Sequence, residues 1–153
     1  MQVQQLMTPS PRACAPNANL CEAVQMMWEG DFGALPVVSE EGRVLGILTD
    51  RDISIALGTR NRAPSRLRVS EVMAREVWTC RNIDESGIAL KAMRDHRVRR
   101  LPVVDAEGRL CGIFSLNDAI LAGNSVVSST EIADTLRVLC APRKPTTAPL
   151  VAA

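Results

Sequence analysis

A chain of 153 residues with 46% hydrophobic and 23% charged side chains has the balance of a folded protein, able to bury about 68–70% of its extended surface without staples. Eighteen basic against seventeen acidic side chains leave a formal charge of +1, which excludes charge-driven capture of nucleic acid or acidic membrane by the chain as a whole. Two Trp, two Phe and no Tyr are too few for a single-strand stacking platform, although they leave room for one nucleotide pocket. The lone histidine, His96, removes histidine-based metal and acid–base constellations. Five cysteines, at 14, 21, 80, 111 and 140, form no CxxC pair and no zinc spacing, as expected of a reduced intracellular protein. The N-terminal MQVQQLMTPSP lacks a basic region followed by an apolar run, and no stretch reaches the roughly 18 apolar residues of a membrane span. The expectation is a soluble, cytoplasmic protein.

The elements come in two parallel series, because the chain repeats itself at a constant offset of 66 residues. GALPVVSEEGRVLGILTDRDI (33–53) lies over RRLPVVDAEGRLCGIFSLNDA (99–119), and Met7, Cys14, Ala23 and Met27 fall on Met73, Cys80, Ala89 and Met93. Fifteen identities in 54 aligned positions without an insertion exceed what composition explains, so two homologous units of about 60 residues are predicted, too few for a solenoid. In each, a short strand (13–15; 77–80) precedes a helix (19–29; 85–95). The first helix carries an apolar stripe of Leu20, Val24 and Met27, and Asn19 with Glu22 has capping-box spacing. Two strands follow (35–38 with 44–48; 101–104 with 110–114) around Gly42 or Gly108, which reads as a hairpin turned at glycine. Near-continuous apolar runs predict strands covered on both faces. Gly46 and Gly112 inside the second strands suggest a close backbone or ligand approach. A helix then begins at Thr49 or Ser115. The boundaries read 1–60 for the first unit, 61–68 for a linker, 69–123 for the second unit, and 124–153 for a C-terminal helix and mobile tail. That helix spans about 130–140, capped by Ser129 or Thr130 and stopped by Pro142, with Ile132, Leu136 and Leu139 available to dock.

LMTP (6–9), VMAR (72–75), the two LPVV strands, GILTDRD (46–52) and GIFSLND (112–118) resemble the tandem cystathionine-β-synthase (CBS) domain pair, the Bateman module, from about Val3 to Gly123. The resemblance implies an α/β (α+β) fold of two β-α-β-β-α units in a pseudo-twofold pair, here with an extra C-terminal helix. It also implies clefts between units that bind AMP, ADP, ATP or S-adenosylmethionine, with no obligatory cofactor, and dimers in which two pairs join through helices into a flat disc. Met26, Met27, Trp28, Ala89, Ala92 and Met93 are candidates for that interface or for the core.

Thr49 with Asp52, and Ser115 with Asp118, sit where a strand passes into a helix. The carboxylates suit vicinal ribose hydroxyls, which supply two donors. The same hydroxyl–acid spacing is close to a capping box, so the local sequence favours capping while the duplicated context favours ribose binding, and both can hold. In the resembled family the leading strand and the residues before LPVV enclose the base. This assigns Thr79, Gly33, Ala34 and Arg99 to the pocket, while Ala13 in place of a threonine and the bulk of Arg99-Arg100 against Gly33-Ala34 predict unequal sites. Arg51 is a phosphate candidate at the helix entrance. Asn117 replaces it in the second unit, where His96, Arg97, Arg99 and Arg100 form a basic cluster open to three readings: phosphate contact, solvated surface, or nucleic-acid contact. Cys14 and Cys80 read as structural.

The functional expectation is a regulatory or sensory module acting on an unidentified effector protein. The alternative is a structural or interaction pair that has lost its ligand. An enzyme is not expected, since no nucleophile–base pair or hydrolytic motif is visible.

Overall fold

In the computed structural model, which describes residues 1–123 and 126–144, the helices and hairpins of both repeats follow the predicted order, but the leading strands expected at 13–15 and 77–80 shrink to a single bridge at Cys14 and to Cys80–Arg81, and a two-residue strand at Thr8–Pro9, a short helix at Val69–Val72 and two 3-10 turns are added. A 3-10 turn (Val3–Gln5) leads to β1 (Thr8–Pro9), α1 (Leu20–Gly30), β2 (Ala34–Val38), β3 (Val44–Thr49) and α2 (Asp50–Thr59). A second 3-10 turn (Pro64–Arg66) and α3 (Val69–Val72) precede β4 (Cys80–Arg81), α4 (Ser86–His96), β5 (Arg100–Val104), β6 (Leu110–Ser115), α5 (Leu116–Leu121) and α6 (Ser129–Cys140).

By contact the chain divides into Arg12–Val77 and a unit made of Met1–Pro11 with Trp78–Lys144. This differs from a division at the repeat boundary, and the reason is strand pairing. In the first-repeat unit β2 and β3 form the hairpin, Cys14 bridges Val37 in parallel, and Ala74 bridges Ile47 antiparallel. In the second-repeat unit the order is β1-β6-β5-β4, with Cys80 parallel to Val103 and Thr8 antiparallel to Ile113. Each position of one set lies 66 residues from its counterpart in the other. The opening segment of each repeat therefore pairs with the last hairpin strand of the other repeat, which would otherwise be an open edge.

Local chemistry explains the element ends. Asn19 accepts from Glu22 N at 3.1 Å while Glu22 accepts from Asn19 N at 2.8 Å, the reciprocal box that opens α1. Asp31 (φ 52°) and Arg97 (φ 53°) end α1 and α4 in the left-handed conformation. Gly42 and Gly108 turn the two hairpins at φ 81° and 77°. Two cores form. One gathers Leu20, Leu35, Val37, Leu48 and Leu67, and the other gathers Leu90, Met93, Leu101, Val103 and Phe114, with Leu139 of α6 against them.

Several details depart from expectation. β2 and β5 are buried on both faces, but β3 alternates and leaves Leu45 exposed, so only the first strand of each hairpin is fully covered. Val24 leaves the predicted apolar stripe and is 43% exposed. The cap of α6 is Ser128, whose Oγ accepts from Glu131 N at 3.1 Å; Ser129 is already the first helical residue, and Leu136 faces outward while Leu139 is buried. Of the predicted mobile tail, residues 145–153 lie outside the described residues.

Gly46 and Gly112 are the close-approach positions. A Cβ at Gly46 would come within 2.5 Å of the Ala74 carbonyl oxygen, whereas at Gly112 it would meet the Met7 thioether, a flexible chain end. Gly46→Ala should therefore destabilise its unit by about 1–3 kcal/mol, and Gly112→Ala by clearly less, as read from urea unfolding midpoints.

Candidate functional site

The two hydroxyl–acid pairs adopt one geometry twice. At the start of α2, Thr49 N and Thr49 Oγ1 both donate to Asp52 Oδ2, at 2.9 and 2.6 Å, and Asp52 N donates back to Thr49 Oγ1 at 3.2 Å. At the start of α5, Ser115 N and Oγ donate to Asp118 Oδ2 at 2.7 and 2.6 Å, and Asp118 N donates to Ser115 Oγ at 3.3 Å. Capping is thus realised in both units, and all four side chains are half-buried. Among the described residues each acid spends only Oδ2, which leaves Oδ1 as an uncommitted acceptor on a carboxylate whose orientation is already set.

The residues before LPVV are joined to these pairs by backbone. Asp50 N donates to Gly33 O at 3.0 Å, and Leu116 N donates to Arg99 O at 2.9 Å. In the hairpins Ala34 faces Thr49 and Arg100 faces Ser115. Gly33 also gives Asp50 room, since a Cβ there would lie 2.7 Å from Asp50 Oδ2. The structure therefore gathers Gly33, Ala34, Thr49 and Asp52 in one unit, and Arg99, Ser115 and Asp118 in the other. Arg51 and Arg99 extend exposed side chains, and Thr79 is an exposed residue just ahead of β4, with no bond linking it to the Ser115–Asp118 pair among the described residues.

The basic cluster divides. Arg97 donates to Val138 O at 3.0 Å and also to Ala141 O, holding the C-terminal end of α6, so it is a clamp on that helix. His96 does end α4 at the surface, but it stacks on Trp78 with ring centroids 3.5 Å apart and planes within 9°. The equivalent position in the first-repeat unit carries a different clasp, Arg12 to Glu29 at 2.9 Å. The repeat offset pairs Arg12 with Trp78 and places Glu29 next to the position matching His96. That register was the available signal, but a pairing between such unlike side chains has no motif.

Burial pushes the Cys14 thiol from 9.0 up to about 11 and the Cys80 thiol up to about 12, where the Asp84 carboxylate adds to the effect. Both are core thiols, not nucleophiles. Among the described residues no three His, Cys, Asp or Glu side chains group as metal ligands, and no helix is long and apolar enough to cross a membrane.

Both repeats match the family model for the CBS domain, over residues 3–58 and 69–124, and the chain belongs to that family. It is 37% identical over 116 residues to the CBS domain-containing protein YhcV of Bacillus subtilis, a match spanning 76% of this chain and 81% of that one. It is 30% identical over 117 residues to the uncharacterised protein MK0525 of Methanopyrus kandleri, spanning 76% of this chain and 60% of that longer one. Among solved structures, the CBS domain pair of protein MJ0100 in complex with 5′-methylthioadenosine and S-adenosyl-L-methionine superposes with a TM-score of 0.69 at 27% identity, covering 82% of this chain and 98% of that one.

Thiol labelling near pH 8 should modify the exposed Cys21 and Cys140 quickly and reach Cys14 and Cys80 only in denaturant, as followed by peptide mass mapping. An unfolded chain ionises these two thiols near 9.0, and the folded units hold them protonated to about 11–12. Stability should therefore fall as pH rises through that window, visible as a declining Tm.

Proposed function

We propose that the chain is a non-catalytic regulatory module that binds an adenosine-containing ligand, AMP, ADP, ATP or S-adenosylmethionine. The observation that carries this reading is the uncommitted Oδ1 on Asp52 and on Asp118, each fixed by its own helix cap. Vicinal ribose hydroxyls donate to such a carboxylate, Gly33 and Ala34 or Thr79 border the base, and Arg51 or Arg99 meets phosphate or another anionic group. The adenosine ligands carried by the MJ0100 pair, a structural relative at 27% identity, support this ligand class. In the cytoplasm the ligand acts by favouring one of two arrangements that an effector protein distinguishes, which requires unequal affinity for them. The arrangement in question belongs to a homodimer joined through helices of the CBS repeats.

A second reading has its own support. The caps already satisfy both acids in part, and Ala13 supplies no hydroxyl at the position equivalent to Thr79, so a purely structural pair retains a reason for the capping side chains.

Calorimetry on ligand-stripped protein with AMP, ADP, ATP and S-adenosylmethionine separates the two. The expected outcome is saturable binding of at least one, weakened tenfold or more, about 1.4 kcal/mol, by Asp52→Asn or Asp118→Asn. Folded protein that gives no heat with any of them establishes the structural reading.

A further inference from the structure

The chain passes from one unit to the other after Pro11 and after Val77, and at both places the first residue beyond the crossing is clasped to the end of a helix. Arg12 donates to Glu29 Oε2 at 2.9 Å near the end of α1, and Trp78 stacks on His96, the last residue of α4, with ring centroids 3.5 Å apart. Two residues further on, Cys14 and Cys80 are fixed by parallel pairing with Val37 and Val103. Between these two anchors lies one residue, Ala13 in the first-repeat unit and Thr79 in the second. Thr79 is exposed, and among the described residues its hydroxyl takes part in no hydrogen bond, so it is held in place by its neighbours and not by its own contacts. The clasps differ in kind. The ion pair joins side chains that are 51% and 46% exposed, where salt screens the attraction and two long chains must be ordered to make it. The stack joins two rigid rings, and its energy comes from buried ring surface that salt does not screen.

We propose that Trp78 and His96 are positioning residues of the second-repeat site: their stack holds the main chain beside it so that Thr79 presents its hydroxyl to the ligand's base. The inference rests on the ligand reading above and adds how Thr79 is placed. A residue whose two neighbours are pinned has few main-chain conformations left to lose on binding, so the cost of ordering it is met during folding. In the first-repeat unit a screened clasp holds Ala13, which has no hydroxyl to place. The two sites therefore differ in preorganisation as well as in composition, and the second is the tighter for a base that hydrogen-bonds at this position. The lone histidine thus has a role outside acid–base and metal chemistry, as a flat surface at a helix end on which the indole rests.

Calorimetry on the full chain in an Asp52→Asn background, where the second-repeat site alone keeps its carboxylate, tests this with AMP, ADP, ATP and S-adenosylmethionine as probes. In that background His96→Ala should weaken binding about tenfold or more, and His96→Phe, which keeps a ring on Trp78, should return it to within about threefold of the parent. A stack that only stabilises the fold would lower Tm and leave the Kd of folded protein unmoved, so the rescue is read from Kd well below both melting midpoints. Trp28→Phe leaves Trp78 as the one tryptophan of the chain, and its emission should shift as the probe saturates the site, a response that His96→Ala removes. Binding that His96→Ala leaves unchanged overturns the inference. So does binding that His96→Ala and His96→Phe weaken alike, since the imidazole nitrogens and not the stack would then be responsible. Protein that binds none of the four probes before any substitution overturns the ligand reading and takes this inference with it, whereas binding abolished by Asp52→Asn alone overturns this inference and leaves that reading standing.

Discussion

The pairing of each leading segment with the sheet of the other repeat is the constraint on which the structure depends. Thr8 lies against Ile113 and Ala74 against Ile47, each bond set only one or two residues long. Without these contacts β3 and β6 would end their sheets as unpaired edges, and neither repeat of about 60 residues has much core to spare. The second-repeat unit cannot be completed without Met1–Pro11, so its last strand pairing closes a loop of roughly one hundred residues. Contacts that distant in sequence form late and slow folding, in contrast to the local hairpins around Gly42 and Gly108.

Duplication has kept the scaffold and exchanged the chemistry laid over it. Both helix starts keep the same three hydrogen bonds around an aspartate, which is why a carboxylate with one oxygen engaged and one available occurs twice. Elsewhere equivalent positions diverge. The first unit ties its leading segment to the end of α1 with Arg12 and Glu29, the second ties it to the end of α4 with stacked Trp78 and His96, and the helical faces differ in Trp28 and Arg94. The duplicated frame thus presents unequal surfaces at equivalent positions.

Much of the frame was legible in the sequence because it rests on local rules. The hairpins follow from apolar runs interrupted at Gly42 and Gly108, α1 from the Asn19–Glu22 box, and the family from motifs recurring at one offset. The crossed leading segments were not legible, since a strand of two residues, Thr8–Pro9, has no periodicity to detect. Nor was the use of Arg97. Its charge placed it in a basic cluster for which phosphate contact was one of three readings, but helix-terminal carbonyls of α6 take up the guanidinium, and they belong to a segment more than forty residues away. At Asp52 and Asp118 the sequence offered capping and ligand contact as roles that can coexist. The geometry realises the capping, and among the described residues the cap engages one of the two carboxylate oxygens.

The glycines of β3 and β6 face methionine sulfur, Met73 over Gly46 and Met7 over Gly112. An unbranched thioether moulds itself to such a notch better than a branched side chain would, and it is also the side chain that peroxide converts to a polar sulfoxide. The added oxygen would need space at the one place where each sheet has given up even a methyl group. The seams that hold the crossed segments are therefore chemically alterable, in a protein whose buried thiols are shielded from the same oxidants.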